Sequence, residues 1–140
     1  MNNLIMMNIY CKKIVGGKAE GLALLSNKPL NMLSMLDTKS GEIKDKEHDL
    51  FNQTLKNRVL IFPNCIGSSV GAYVFYSLKI NGVNPKAIIC TNKCDIITAS
   101  GCAISDIPLV DGTGASFKSL NNNTKVTVDA DNQMVILSTL

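Results

Sequence analysis

The chain has 140 residues, 46% hydrophobic and 18% charged, a balance typical of one globular domain with a single core. Its net charge of +3 comes almost entirely from dispersed lysines, because Arg58 is the only arginine, so a basic surface for nucleic acid is not expected. Five irregularly spaced cysteines favour a reducing, cytoplasmic compartment, and no apolar run approaches the ~20 residues that a membrane span requires.

The first part of the chain predicts two strands, at residues 9–15 and 19–26, with a turn at Gly16 and Gly17 between them. We expect residues 1–7 to be disordered or to precede the true start of the protein. The Met-Asn-Asn start lacks the basic segment of a signal peptide.

A loop is predicted over residues 34–50. Loops of this length inside compact domains are usually functional or disordered. This one carries three candidate site residues, Asp37, Asp45 and the only histidine, His48. Each has an ordinary alternative, because most loop acids face water and an isolated histidine is more often locally bonded than a ligand.

The second part of the chain alternates short apolar strands with helices, and a hairpin closes it. The helix after the first of these strands is predicted to end at a left-handed Gly82, before Pro85. The predicted elements are a strand at 58–62, a helix at 70–80, a strand at 87–90, a helix at 95–104, a strand at 107–110 and a hairpin of 125–129 with 133–137. This order predicts a mixed α/β fold, a single domain over residues 1–140 with a parallel centre and antiparallel strands at both ends.

A run of five residues lies between the predicted strand at 58–62 and the start of the predicted helix at 70–80. These residues are Gly67, Ser68, Ser69, Val70 and Gly71. Glycine allows a close backbone approach to a ligand, and the unpaired N–H groups at a helix start attract negative charge. A serine there can bind an anion or lose its proton more easily than in water. The run is therefore a candidate site.

The run also fits three other sequence patterns in part. The pattern G-x-S-x-G matches a nucleophile elbow centred on Ser69, but a triad in that order needs a histidine after the serine, and His48 precedes it. A phosphate-binding P-loop is excluded because no lysine follows the glycine turn. The third interpretation stays open: Ser68 and Ser69 only cap the helix at Val70.

The cysteines at 90, 94 and 102 have a spacing that matches neither a zinc site nor an iron–sulfur sequence pattern. Small buried cysteines are common at the end of an apolar strand, where Cys90 lies. We therefore predict no metal site on this chain.

Five stretches, taken together and in order, resemble the swivelling domain of the aconitase X family. The loop fits the family pattern Asp-x-x-Thr/Ser-Gly-x-Ile-x-Asp-x-x-His, with Asp37, Asp45 and His48 at its fixed positions. The stretches are 17–26 with Pro29 and Leu30, 37–48 with Leu50, Phe62 and Pro63 with 67–73, 95–101, and 107–111.

The resemblance implies a swivelling β/β/α domain, three layers with a mixed sheet, which closes over a separate large subunit. As a short separate chain, it is similar to the small subunits of archaeal two-chain dehydratases. The implied reaction is the dehydration of (R)-5-phosphomevalonate to trans-anhydromevalonate 5-phosphate, in the modified mevalonate pathway to isoprenoids. The implied cofactor is an iron–sulfur cluster on the large subunit, with none on this chain.

In the family pattern the first serine of Gly-Ser-Ser, here Ser68, is the proton acceptor. Two departures stand out: Met35 and Leu36 replace a common Gly-Gly pair, and Cys65 and Ile66 replace a Gly-Lys or Gly-Arg pair. The second removes a cation near the serine. The alternatives are a non-catalytic module that binds a partner, and a dehydratase subunit for another hydroxy acid.

Overall fold

A computed structural model describes residues 5–115, 117–118, 120–121 and 124–139 of the chain. Eight strands and three helices are assigned within these residues. In chain order they are β1 (Ile5–Tyr10), β2 (Lys12–Val15), β3 (Lys18–Leu25), α1 (Met32–Met35), β4 (Arg58–Phe62), α2 (Gly71–Ile80), β5 (Ala87–Cys90), α3 (Ile96–Ser105), β6 (Leu109–Asp111), β7 (Lys125–Asp129) and β8 (Met134–Thr139).

All eight strands belong to one sheet, in the order β1-β8-β7-β3-β4-β5-β6-β2. The four central strands β3, β4, β5 and β6 run parallel, and the pairs at both ends are antiparallel. The end strands β1 and β2 are separated only by Cys11, so the sheet turns back until its two ends meet at this residue. The mixed α/β class with a parallel centre is confirmed.

Two hydrophobic cores lie on the two faces of the parallel strands. Along β4, Leu60 and Phe62 point to the helices, whereas Val59 and Ile61 point to the antiparallel strands β7 and β8. Successive strand residues face opposite sides of a sheet, and both faces are covered here, so β4 and β5 consist almost entirely of buried apolar residues. The result is a three-layer β/β/α arrangement.

The N-terminal strand prediction was wrong in its extent. Residues 9–15 belong to two strands, because the pairing partner changes from β8 to β6 at Cys11, whose N–H donates to the Gln133 carbonyl at 3.1 Å. Residues 5–7, expected to be disordered or to precede the start, lie in β1 and pair with residues 137–139 of β8. Residues 1–4 lie outside the described residues.

The loop predicted at 34–50 begins with the end of a short helix that the sequence analysis missed. In α1, the Asn31 side chain accepts from the Ser34 N–H at 3.3 Å and caps the helix start. The rest of the loop folds back on itself, with bridges between Leu36 and Ile43 and between Glu42 and Thr54.

The two longer helices agree with the prediction to within one residue at each start. Gly82 has φ +69° after the last turn of α2, as predicted. Asp95 caps α3 by accepting from the Thr98 N–H at 2.9 Å. Among the helices described, none combines the length and the apolar character needed to cross a lipid bilayer.

Candidate active site

The serine turn, residues 64–70, connects β4 to α2 and is held from two sides. On one side, the Asn64 carbonyl accepts from the Leu30 N–H at 3.2 Å, and the Ile66 N–H donates to the Leu30 carbonyl at 3.0 Å. On the other, Asp95 Oδ1 accepts from the Cys65 N–H at 2.9 Å. The turn is therefore anchored to the segment before α1 and to the start of α3.

Gly67 is the point where the serine turn changes direction. Its φ of +98° is a conformation that L-residues with a Cβ rarely adopt. A Cβ at this position would lie 2.7 Å from Asn31 Cγ, so the backbone packs directly on the Asn31 side chain. Glycine is required here for both reasons.

Ser68 is exposed, and its side chain takes part in the helix start. Its Oγ accepts from the Val70 N–H at 3.2 Å, and its carbonyl accepts from the Gly71 N–H at 2.9 Å. An N–H that donates to Oγ also stabilises the oxygen when it is negatively charged. The capping role and a role as a base are thus compatible with the same geometry.

The other members of the run have supporting positions. Ser69 is exposed, and its carbonyl accepts from the Ala72 N–H at 3.2 Å. Val70 is the N-cap residue of α2, although its side chain makes no capping bond. Gly71 is the first helical residue, and a Cβ there would lie 3.3 Å from Ile97 Cγ2. This close approach brings the starts of α2 and α3 together.

The two residues before Gly67 carry no charge, whereas the family pattern has a lysine or an arginine there. Cys65 is buried, and this burial raises the pKa of its thiol to about 12. Ile66 is 45% exposed. The positive potential at Ser68 from this chain comes instead from backbone N–H groups at the start of α2.

The loop residue His48 is buried and anchors the loop to the segment before α1. Its Nε2 lies 3.1 Å from the Pro29 carbonyl, and its Nδ1 accepts from the Leu50 N–H at 3.1 Å. Nδ1 also lies 3.0 Å from Asp49 Oδ1. One tautomer satisfies the Leu50 and Pro29 contacts together: Nδ1 carries no proton and accepts from Leu50, and Nε2–H donates to the Pro29 carbonyl.

Asp45 and His48 meet the serine turn at a small apolar cleft. Asp45 Oδ1 accepts from the Glu47 N–H at 2.8 Å and shapes the turn that leads to His48. Asp45, His48 and Ile66 all line the cleft, which has a volume of about 240 Å³. Folding therefore brings two of the three predicted loop residues next to Gly67.

Asp37 lies elsewhere. Its Oδ1 accepts from the Lys39 and Ser40 N–H groups at 2.8 and 3.2 Å, and these bonds lower the pKa of its carboxyl. The neighbouring Thr38 carbonyl accepts from the side chain of Asn81, the C-cap residue of α2. Asp37 is thus near the end of α2, roughly 15 Å of helix from Ser68.

Exposed apolar side chains surround the serine turn. They belong to the starts of all three helices and to the turn itself, and we call them the serine-side patch: Leu33, Ile66, Val70, Tyr73 and Ile96. Ile96 is 77% exposed and Tyr73 is 66% exposed. Exposed apolar side chains at neighbouring helix starts are typical of an interaction surface.

The cysteines do not fit an iron–sulfur cluster. All five are free, and among them only Cys94 is partly exposed. A hydrogen bond with Cys94, together with burial, raises the pKa of the Cys90 thiol, and burial raises that of Cys102. A cluster needs three or four thiolates around one space, whereas among the described cysteines only Cys90 and Cys94 belong to a group whose donor atoms lie within 4.8 Å of one another.

Sequence reasoning missed how the serine turn is supported. Asp95 was expected to begin a helix, and its Asp-x-x-Thr pattern is a recognisable cap signal. Its second bond, to the Cys65 N–H, joins residues 30 positions apart, and nothing in the sequence indicates it. The same holds for Asn31 beneath Gly67.

The chain is similar to known proteins over most of its length. Residues 8–137 match the model of the aconitase X swivel domain family. The phosphomevalonate dehydratase small subunit of Thermococcus kodakarensis is 46% identical over 125 residues, 89% of this chain and 92% of that protein. The subunit of the same name from Methanothrix thermoacetophila is 40% identical over 131 residues, 94% of this chain and 95% of that protein.

A solved structure extends the likeness to three dimensions. The crystal structure of aconitase X from Thermococcus kodakaraensis, in its holo-form, superposes with a TM-score of 0.87. The two chains are 44% identical, and the match covers 94% of this chain and 98% of the other. The chain belongs to the aconitase X swivel domain family.

Proposed function

We propose that this chain is the small subunit of a hydro-lyase that dehydrates (R)-5-phosphomevalonate to trans-anhydromevalonate 5-phosphate in the modified mevalonate pathway. The observation that carries the proposal is its likeness over nearly the whole chain to phosphomevalonate dehydratase small subunits. The site is compatible with it, because an exposed serine stands among N–H donors at a helix start.

Ser68 is proposed as the base. Dehydration removes a proton from the carbon next to the carboxylate, and the electrons of that C–H bond form the C=C bond as the hydroxyl leaves. Serine is a weak base in water, so its alkoxide must be stabilised. A helix start contributes only about 0.3–1 kcal/mol at an exposed site and up to ~2 kcal/mol in a partly buried one. Further stabilisation must come from burial against the partner.

The proposed partner is a large subunit, giving a heterodimer, and the serine-side patch is its docking surface. Covering the patch would remove Ser68 from water and strengthen every electrostatic interaction around it. An iron–sulfur cluster on the large subunit, when bound, would supply a Lewis acid for the departing hydroxyl. On this chain, Gly67, Ser69, Val70 and Gly71 are proposed as the anion site. The Val70 and Gly71 N–H groups bond to Ser68 and hold the turn, which leaves those of Gly67 and Ser69 for an anionic substrate.

The proposed location is the cytoplasm, which the five free cysteines support. Asp37, Asp45 and His48 are proposed to shape the loop beside the cleft, through the bonds described above. Unchanged turnover of the assembled enzyme with alanine at each of these positions would reject that role.

The function is tested by producing this chain together with its large subunit and assaying loss of water from (R)-5-phosphomevalonate. We expect turnover by the complex and none by this chain alone, because the exposed Ser68 lacks burial. Unphosphorylated mevalonate and other hydroxy acids serve as controls. Turnover of one of those in place of phosphomevalonate would favour the other-dehydratase alternative, and activity of the isolated chain would contradict the proposal.

The docking surface makes a separate prediction. Ile96→Asp should weaken binding of the large subunit by at least ~10-fold, because it places a charge in the centre of an apolar interface. Ile104→Asp is the matched control on the same helix, since Ile104 is also exposed but lies near the other end of α3. Titration by analytical ultracentrifugation measures both. Equal affinities of the two variants would show that the patch is not the interface.

A further inference from the structure

One group of metal-binding side chains lies outside the serine site. One donor atom from each of Cys90, Cys94 and Asp95 lies within 4.8 Å of the other two. Cys90 is the last residue of β5, Asp95 caps α3, and the short connection between these elements brings Cys94 back over Cys90. Sequence spacing did not indicate this group, because Asp95 completes it and the turn at 91–93 sets its geometry.

The donors suit a particular class of cation. Two thiol sulfurs and one carboxylate oxygen favour a borderline-soft ion such as Zn²⁺, whereas Mg²⁺ and Ca²⁺ prefer oxygen alone. Bonds of about 2.3 Å to sulfur and about 2.0 Å to oxygen separate tetrahedral donors by roughly 3.5 Å. The three side chains need to close by about 1 Å, which rotation of the half-buried Cys94 can supply.

The carboxylate has capacity for a metal in addition to its structural bonds. Asp95 Oδ1 accepts from the Cys65 N–H and the Thr98 hydroxyl, whereas Oδ2 accepts only from the Thr98 N–H among the described residues. A carboxylate oxygen has two lone pairs. One lone pair on Oδ2 is therefore left for coordination.

A second carboxylate and an open cavity lie close to the group. The Cys94 N–H donates to Asp111 Oδ2 at 2.8 Å, so a second carboxylate lies beside the group. Asp111 also lines an open cavity of about 470 Å³ together with the turn at 91–93. The lining of this cavity also includes Lys12 and Lys93, whereas Cys94 adjoins it through the Asp111 bond.

We propose that Cys90, Cys94 and Asp95 form a three-ligand site for a thiophilic divalent cation, with Zn²⁺ as the fitting ion and a water molecule as fourth ligand. The site shares Asp95 with the support of the serine turn, but it takes no part in the dehydration chemistry proposed for Ser68.

The test uses the full chain, kept reduced with a phosphine, and Co²⁺ as the probe. Tetrahedral Co²⁺ absorbs in the visible, and thiolate ligation adds a charge-transfer band in the near ultraviolet. We expect both signals at one Co²⁺ per chain, with loss of both on adding Zn²⁺. Cys94→Ser should weaken Co²⁺ binding by at least ~10-fold, and Asp95→Asn, which retains a capping oxygen, should also weaken it.

Cys11→Ser is the control, because Cys11 is buried in the other core, between the two sheet layers. It should bind Co²⁺ as the unmodified chain does. Circular dichroism verifies that each variant is folded. Absence of the bands at millimolar Co²⁺, or full retention of them in Cys94→Ser, would overturn the proposal.

Discussion

Ser68→Ala should lower the turnover of the assembled dehydratase by ~10²–10⁴-fold, the range expected when a general base is removed. The loss arises because no other described residue of the serine turn could replace Ser68 as the base. Only the Ser68 side-chain oxygen accepts an N–H at the start of α2 there. Assembly with the large subunit should be normal, since the Ser68 side chain makes one capping bond and lies on an exposed turn. Steady-state kinetics with (R)-5-phosphomevalonate measure the effect.

Ser69→Ala is the matched control for this experiment. Ser69 has the same side chain and similar exposure and is adjacent in sequence, but no described N–H donates to its hydroxyl. If Ser68 is the base, Ser69→Ala should lower turnover much less than Ser68→Ala does. Comparable losses in the two variants, or a Ser68→Ala enzyme with near-normal turnover, would favour the alternative in which the serines only cap the helix and the subunit is a non-catalytic partner-binding module.

Gly67→Ala should destabilise the protein by about 2–5 kcal/mol and distort the serine turn. Two costs combine: the left-handed conformation disfavours a Cβ by about 1–2 kcal/mol, and overpacking against Asn31 adds about 1–3 kcal/mol. The geometric basis is the φ of +98° and the 2.7 Å separation between the added Cβ and Asn31 Cγ. Urea unfolding followed by circular dichroism measures the free energy of unfolding.

Gly82→Ala separates the two costs. Gly82 also has a positive φ, +69°, but a Cβ there would meet nothing within 4 Å, so only the conformational cost applies. Asn31→Ser shortens the side chain that the Cβ would strike, and serine still caps α1. In the Gly67→Ala background it should recover part of the lost stability. A Gly67→Ala cost no larger than that of Gly82→Ala would contradict the packing argument.

These two predictions address one structural idea. The serine turn places Ser68 at the surface, and Gly67, Asn31 and Asp95 support it from below. A turn held in this way needs no rearrangement of its own when a partner covers it. The partner then contributes burial, which the isolated chain lacks, to the stability of a negatively charged serine oxygen.

Much of the fold follows from local patterns in the sequence. The strands β4 and β5 are uninterrupted apolar runs, and their boundaries agree with the prediction because strands covered on both faces carry this signal. Gly82 and Asp95 mark helix ends through backbone and capping chemistry that depends on neighbouring residues only. The serine run between β4 and α2 is conspicuous for the same reason.

Other features depend on residues distant in the chain. The first predicted strand is interrupted at Cys11 because β1 and β2 pair with β8 and β6 at opposite ends of the sheet order. Asp37 and His48 belong to one sequence motif, yet the loop folds so that His48 approaches the serine turn and Asp37 approaches the end of α2.

The sequence by itself therefore determined the class of fold, the strand-to-helix serine turn and the family resemblance, since each depends on local periodicity or on a contiguous motif. Only the tertiary structure decided that Ser68 is exposed, that Asn31 and Asp95 hold its turn, and that apolar side chains from three helices surround it. The physical reason is that hydrogen bonds and packing contacts form between atoms that are close in space. Which distant residues become close depends on how the sheet closes.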